Sequence, residues 1–166
     1  MKKELSRIKE IASYIKPYKR IADVGCDHGY LIIEAFENYD IDYALAIDNK
    51  KGPLDRCKLN IESKDYKDKV RFSLSSGISD LDSLIEVVVL AGMGGMLIKK
   101  LLNDNLYKLN YIKRIIIQAN KDNYVIRKFL TDNYFDIINE SIVYEDNKYY
   151  QIICFDKVGY LCEYND

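Results

Sequence analysis

This 166-residue chain has little of several things that mark other protein classes. It has a single histidine, and its four cysteines, Cys26, Cys57, Cys154 and Cys162, form neither a C-x-x-C pair nor a cluster with that histidine, so no metal site is expected. Isolated thiols of this kind fit reduced cysteines in the cytosol. Net charge is also missing: 25 Lys+Arg face 26 Asp+Glu, which excludes a global basic field and leaves only local surfaces for a nucleic-acid partner. No apolar run approaches about 18 residues, and the start Met1-Lys2-Lys3-Glu4 has no secretory pattern, which predicts an untargeted cytoplasmic protein without a membrane span. The G-x-G-x-x-G spacing of dinucleotide-dependent oxidoreductases does not occur. No repeat or low-complexity linker interrupts the chain, and nothing implies an obligate protein partner. Its length predicts one domain over residues 1–166, burying roughly 70% of the unfolded surface.

What is present is a regular alternation of apolar runs and helical patterns, the signature of a parallel sheet covered on both faces. Leu5, Ile8, Ile11, Ala12 and Ile15 recur at helical spacing and predict a first helix ending before Pro17. Strands are predicted at 21–24, 43–47, 70–74, 87–91 and 115–117. Helices are predicted at 31–38, 53–63 and 124–133, with a further helix after the glycines at 92–95 running to about Leu106. The segments 135–144 and 148–155, joined by Glu145-Asp146-Asn147, read as an antiparallel hairpin. The predicted fold class is α/β, a Rossmann-like, mostly parallel seven-stranded sheet with a C-terminal antiparallel hairpin, the layout of class I methyltransferases.

Chemistry concentrates where strands break into glycines. Asp23-Val24-Gly25-Cys26-Asp27-His28-Gly29-Tyr30 is a strand running through an acidic glycine loop into a helix, a place where a ligand can lie against the main chain. Two aspartates in such a loop repel a pyrophosphate but suit a ligand with a free amino group and a sulfonium, which points to S-adenosylmethionine. Asp48, ending the second strand beside Asn49, is placed to accept both ribose hydroxyls, or is a solvated turn residue. Ser76-Gly77 follows the third strand where an adenine would lie, Gly77 being otherwise an ordinary turn glycine. Ala91-Gly92-Met93-Gly94-Gly95 sets three glycines at the mouth of a buried strand, reading as a flat backbone wall, with Met93 a pocket wall or a core filler.

In combination these motifs resemble the bacterial tRNA (adenine-N1)-methyltransferase family that modifies adenine 22. That family carries Tyr-Ile-Pro, Asp-Ile-Gly-Ser-Asp-His-Ala-Tyr-Leu-Pro, an acidic motif followed by Gly-Pro, Gly-Asp-Gly, Ala-Gly-Met-Gly-Gly, Gln-Pro-Asn and Tyr-Glu-Ile. This chain has, in the same order, Tyr14-Ile15-Lys16-Pro17, Asp23 to Leu31, Asp48 with Gly52-Pro53, Ser75-Ser76-Gly77, Ala91 to Gly95, Gln118-Ala119-Asn120 and Tyr150-Gln151-Ile152. Ser76 replaces an aspartate that would take the cofactor's adenine amine, and Ala119 replaces a proline. The family's C-terminal helical extension, which helps grip tRNA, is absent before Asp166: the chain is either a fragment or a minimal member that holds tRNA otherwise.

The resemblance implies methyl transfer from S-adenosylmethionine to adenine N1. N1 has an in-plane lone pair and no proton, so the enzyme must supply alignment and charge stabilisation rather than a strong base. Asp27 is the catalytic candidate, its other reading being a helix cap. His28 is assigned by the resemblance to the cofactor loop, and Tyr30 is core or pocket. Asn120 and Tyr150 are candidates for holding the adenine. Lys2, Lys3 and Arg7, with Lys9, Lys16, Lys19 and Arg20 and the interleaved Tyr14 and Tyr18, form the candidate tRNA surface, or a solvated helix face. The competing functions are methylation of another RNA or of a small molecule, methylation of adenine N6, and non-catalytic RNA binding.

Overall fold

A computed structural model describes residues 4–160. The order is α1 (Glu4–Ser13), β1 (Arg20–Val24), α2 (Tyr30–Asn38), β2 (Tyr43–Asp48), α3 (Lys51–Glu62), β3 (Val70–Leu74), β4 (Val87–Met93), α4 (Gly95–Asn103), β5 (Arg114–Ala119), α5 (Asn123–Asp132), β6 (Phe135–Glu145) and β7 (Lys148–Lys157). These strands form one seven-stranded sheet in the order β3-β2-β1-β4-β5-β7-β6. Its first five strands are parallel, and β7 inserts antiparallel between β5 and β6. The chain reverses direction of winding between β1 and β4, the switch point at which open α/β sheets bind ligands.

Side chains alternate between two cores, as the two-residue period of a strand requires. Ala22, Val24, Leu45 and Ile47 face α4 and α5, meeting Ile98, Leu102, Ile126 and Phe129. Ile21, Ala44 and Ala46 face the other way and meet Ile11, Leu31, Leu54 and Ile61 from α1, α2 and α3.

Most boundaries shift by one or two residues from expectation, and three of the shifts have a clear local reason. Strand β4 continues to Met93 instead of ending at Ala91, because a bulge at Gly92 lets pairing with β5 resume at Met93–Ala119. Helix α4 stops at Asn103 rather than near Leu106. The run Asn103-Asp104-Asn105 favours leaving a helix, and the chain continues as a 3₁₀ turn over Leu106–Tyr111. The hairpin is tighter than the three-residue link expected. Glu145 belongs to β6, and only Asp146 and Asn147 turn the chain, with φ of 50° and 63°, the left-handed pair that matches strand twist.

Candidate active site

Three connected chambers lie along the carboxyl edge of the sheet. The first, about 440 Å³, is lined by Asp48, Asn49, Lys50, Ser75, Ser76 and Gly77, with Met93, Leu97 and Leu101 as its apolar side. The second, about 350 Å³, is lined by Asp23, Gly25, Cys26, Asp27, His28, Tyr30, Ala91 and Gly92, and by Arg7 from α1. The third, about 630 Å³, lies between Asn120 and the hairpin residues Lys148, Tyr149 and Tyr150. Gly25, Asp27 and Met93 border both of the first two, while Arg7 and Gly92 border both the second and the third.

Two expected cofactor residues stand behind these walls. Gly29 is buried, and a Cβ there would come within 2.8 Å of Cys57 Sγ; its role is to let α2 pack on α3. Gly94 precedes α4 against the Lys121 side chain. Lys2 and Lys3 lie outside the described residues. Asp27 does not cap α2: the residue before the helix is Gly29, and no side chain bonds the helix start. Its Oδ1 accepts Arg56 Nη2 at 3.1 Å, and its Oδ2 lies 3.8 Å from His28 Nε2. Tyr30 is not core either; it is 48% exposed and stacks on the His28 ring at 5.1 Å. Met93 serves as both wall and filler, since it also packs against the core beneath α4.

The first chamber is organised around Asp48. Asp48 is nearly buried, with Oδ1 accepting the Lys50 N–H at 3.0 Å and Oδ2 accepting the Asp27 N–H at 3.3 Å. Each carboxylate oxygen is thereby aimed, and each has lone-pair capacity left for a hydroxyl. Asp23, 5% exposed, holds its proton to about pH 8, first because burial penalises the charged form and then because Asp48 and Asp27 repel it. A cation arriving in the second chamber would relieve that cost. Cys26 is inert by comparison, because its hydrogen bond with Cys57 and its burial push the thiol upward. At Gly92, φ is +79° and a Cβ would meet nothing within 4 Å, so any side chain would be strained and would project into open chamber space.

Arg7 is not on an open basic surface. Its Nη1 donates to Gln118 Oε1 at 2.9 Å, its guanidinium lies 4.8 Å from the Tyr150 ring, and its backbone N–H reaches the buried Glu145 at 3.1 Å. Three other basic residues of that stretch have separate partners, Lys19 pairing with Asp40, Arg20 with Glu86 and Lys16 sitting over Tyr39, while Lys9 is exposed. Tyr14 and Tyr18 are likewise engaged, with Ser141 and Arg114. Among the described residues no cluster of His, Cys, Asp or Glu could hold a metal, and no helix is long and apolar enough to cross a membrane.

Gln118 entered the sequence reading only as part of the motif Gln118-Ala119-Asn120 and not as a site candidate, and Arg56 did not enter it at all. Gln118 had a signal, as a polar side chain closing the apolar run 115–117, and it is 1% exposed. Arg56 had none, because its pairing with Asp27 spans 29 positions.

Residues 5–153 match the family model described as a methyltransferase domain. The chain belongs to the methyltransferase domain family. It is 30% identical to the tRNA (adenine(22)-N(1))-methyltransferase of Bacillus subtilis over 148 residues, which is 89% of this chain and 62% of that one. It thus spans less than two thirds of the length of that relative. A candidate tRNA (m1A22) methyltransferase of Streptococcus pneumoniae, solved in complex with S-adenosyl-L-methionine, superposes with a TM-score of 0.87 at 33% identity. That match covers 95% of this chain and 74% of the other. The M. capricolum protein TrmK, solved with S-adenosyl-homocysteine, gives a TM-score of 0.83 at 27% identity, covering 96% of this chain and 71% of the other.

Proposed function

We propose that this chain transfers the methyl group of S-adenosyl-L-methionine to N1 of adenine 22 in tRNA, in the cytoplasm. The observation that carries the reading is the placement of two carboxyls at the switch point of the sheet: Asp48, with both oxygens aimed by backbone N–H groups, in the first chamber, and buried Asp23, which would ionise as a cation arrives, in the second. A ribose diol is matched by the first and an α-amino group by the second, and the G-x-G-x-x-G spacing that would lay a pyrophosphate on the helix start is absent. The B. subtilis and S. pneumoniae relatives support the same cofactor and substrate.

Asp48 accepts the two ribose hydroxyls, Ser76 and Gly77 border the adenine, and Asp23 receives the amino group. S-adenosylmethionine supplies an electrophilic methyl on a sulfonium. The target base enters through the third chamber, between Asn120 and Tyr150, so that its N1 faces the seam at Gly92 and Met93. The ring gains positive charge as N1 takes the methyl, and Asp27 is the carboxylate at that seam able to stabilise it. Arg56 and His28 hold the Asp27 side chain in place.

The test is incubation with radiolabelled S-adenosylmethionine and unmodified tRNA, beside a transcript lacking adenine at position 22. N1-methyladenosine in the first alone is the expected result. Label in neither, with calorimetric cofactor binding retained, would overturn the substrate; absence of cofactor binding would overturn the methyltransferase reading as well.

A further inference from the structure

Gln118 is the most buried polar side chain near the third chamber, and its hydrogen bonds have a direction. Its Oε1 accepts from the Gly92 backbone N–H at 3.1 Å and from Arg7 Nη1 at 2.9 Å. An amide N–H and a guanidinium can only donate, so chemistry assigns the oxygen of Gln118 to that side. Its Nε2 then donates to Asn120 Oδ1 at 2.9 Å. Asn120 is fixed through its own backbone, whose N–H donates to Met93 O at 2.8 Å, and its side chain lies exposed on the chamber wall. With Oδ1 drawn toward Gln118, the opposite edge of the Asn120 amide is its NH₂ group.

We infer that this relay, from Gly92 and Arg7 through Gln118 to Asn120, makes Asn120 a hydrogen-bond donor to the incoming base and so selects a ring nitrogen over the exocyclic amine as methyl acceptor. The inference rests on the adenine reading above and deepens it. Adenine offers one donor group, the 6-amino group, and acceptors at its ring nitrogens. An asparagine that activates the amine must present its oxygen to take the amine's hydrogen. Here that oxygen is turned toward Gln118 Nε2, and the group presented on the opposite edge is NH₂, which can meet only an acceptor such as N3 or N7, leaving the N1 lone pair free for attack. A base turned to bring its amine toward Asn120 would set donor against donor, which leaves buried polar groups unpaired. Gln118 and Arg7 are positioning residues in this scheme, and Asn120 is the one that touches the base. The bulge in β4 is what makes the relay possible, since it releases the Gly92 N–H from the strand ladder toward Gln118.

The experiment compares Asn120→Asp with Asn120→Ala in methylation of the tRNA transcript, with mass-spectrometric mapping of the product and cofactor affinity measured in parallel. A structural or merely steric role predicts that the near-isosteric aspartate is the milder change. The relay predicts the reverse: aspartate keeps its bond to Gln118 but presents an acceptor to the base, so its kcat/KM should fall at least about ten-fold below that of the alanine variant, with cofactor affinity unchanged. Gln118→Glu is the second arm. A glutamate still accepts from Gly92 and Arg7 but has no hydrogen for Asn120, whose amide must turn over, so this variant should fall to the level of Asn120→Asp. The relay is overturned if Asn120→Asp equals or exceeds Asn120→Ala, or if the wild-type product contains N6-methyladenosine. A wild-type chain that binds cofactor but methylates no tRNA overturns the substrate reading and this inference together, whereas N1-methylating wild type with equal Asn120 variants overturns the relay alone. Should Gln118→Glu fail to fold, the exposed Asn120 pair still decides.

Discussion

Asp23 is a carboxyl that stays protonated to about pH 8 where an ordinary one ionises near 3.8, and this has a sign that stability measurements can read. Its native value is raised, so its contribution is fully present below about pH 4 and is lost as pH rises through 8. Asp23→Asn, which never ionises, should therefore match the wild type in unfolding free energy near pH 4 and exceed it by a growing margin up to pH 8, as ligand-free urea titrations across that range would check. The same proton should be expelled when a cationic amine binds, so calorimetric enthalpies below pH 8 should vary with the ionisation enthalpy of the buffer. Asp27 differs from Asp23 in being exposed and in holding a left-handed φ of 43°, which asparagine tolerates better than alanine does. Asp27→Asn should leave the unfolding midpoint in place and lower single-turnover methylation by about 100-fold, the range seen when a transition-state charge partner is removed. The acidic loop itself was legible in the sequence, because strand, glycine and aspartate are adjacent. The weakened acidity of Asp23 was not, because it depends first on burial in the assembled sheet and then on Asp48, which lies 25 positions away and comes alongside only through the β1–β2 pairing.

Strands β1, β2, β4 and β5 were visible as apolar runs because both faces of a central parallel strand are covered, the edge strand β3 showed a weaker pattern with Arg71 and Leu74 exposed, and the outer pair was visible from its turn. How these elements are clasped was hidden. Arg114, at the start of β5, makes a two-pronged pair with Asp156 of β7 at 2.7 and 3.0 Å, and it also donates to the carbonyls of Tyr14 and Lys16. It thus ties the antiparallel hairpin and the α1–β1 connection to one point. Arg114→Ala should cost about 3 kcal/mol in urea unfolding, since it strands a carboxylate and two carbonyls, and Arg114→Lys should recover little because an ammonium cannot reproduce the planar fork. The same kind of contact explains why Arg7 turns into the site rather than outward. Glu145, buried at the end of β6, receives the N–H of Arg7 near the start of α1 and draws that residue into the site. Helix α1 then runs back toward the start of β1, where Arg20 and Lys19 are neutralised by Glu86 and Asp40.

For the whole molecule, the three chambers form one cleft whose occupation should be felt globally. S-adenosylmethionine at 100 times its Kd contributes about 2.7 kcal/mol of native-state stabilisation, which for a chain of this size raises Tm by about 5–10 °C. NAD at equal concentration should leave Tm unchanged, because the glycine spacing that would seat its pyrophosphate on the helix start is absent; a shift with NAD would mean that the cofactor reading is wrong. The amino-acid order alone determined the α/β class, the sequence of elements, the acidic glycine loop and the glycine-rich mouth of β4, since each is a local pattern of apolar period and backbone permission. Tertiary structure alone decided which of these residues share a chamber, that Gly29 serves packing while Tyr30 lies on the exposed rim of the second chamber, and that Arg7 and Gln118 meet beside it. The physical reason is that polarity, burial and acidity at a site are set by neighbours brought together across the sheet, and no local pattern records that meeting.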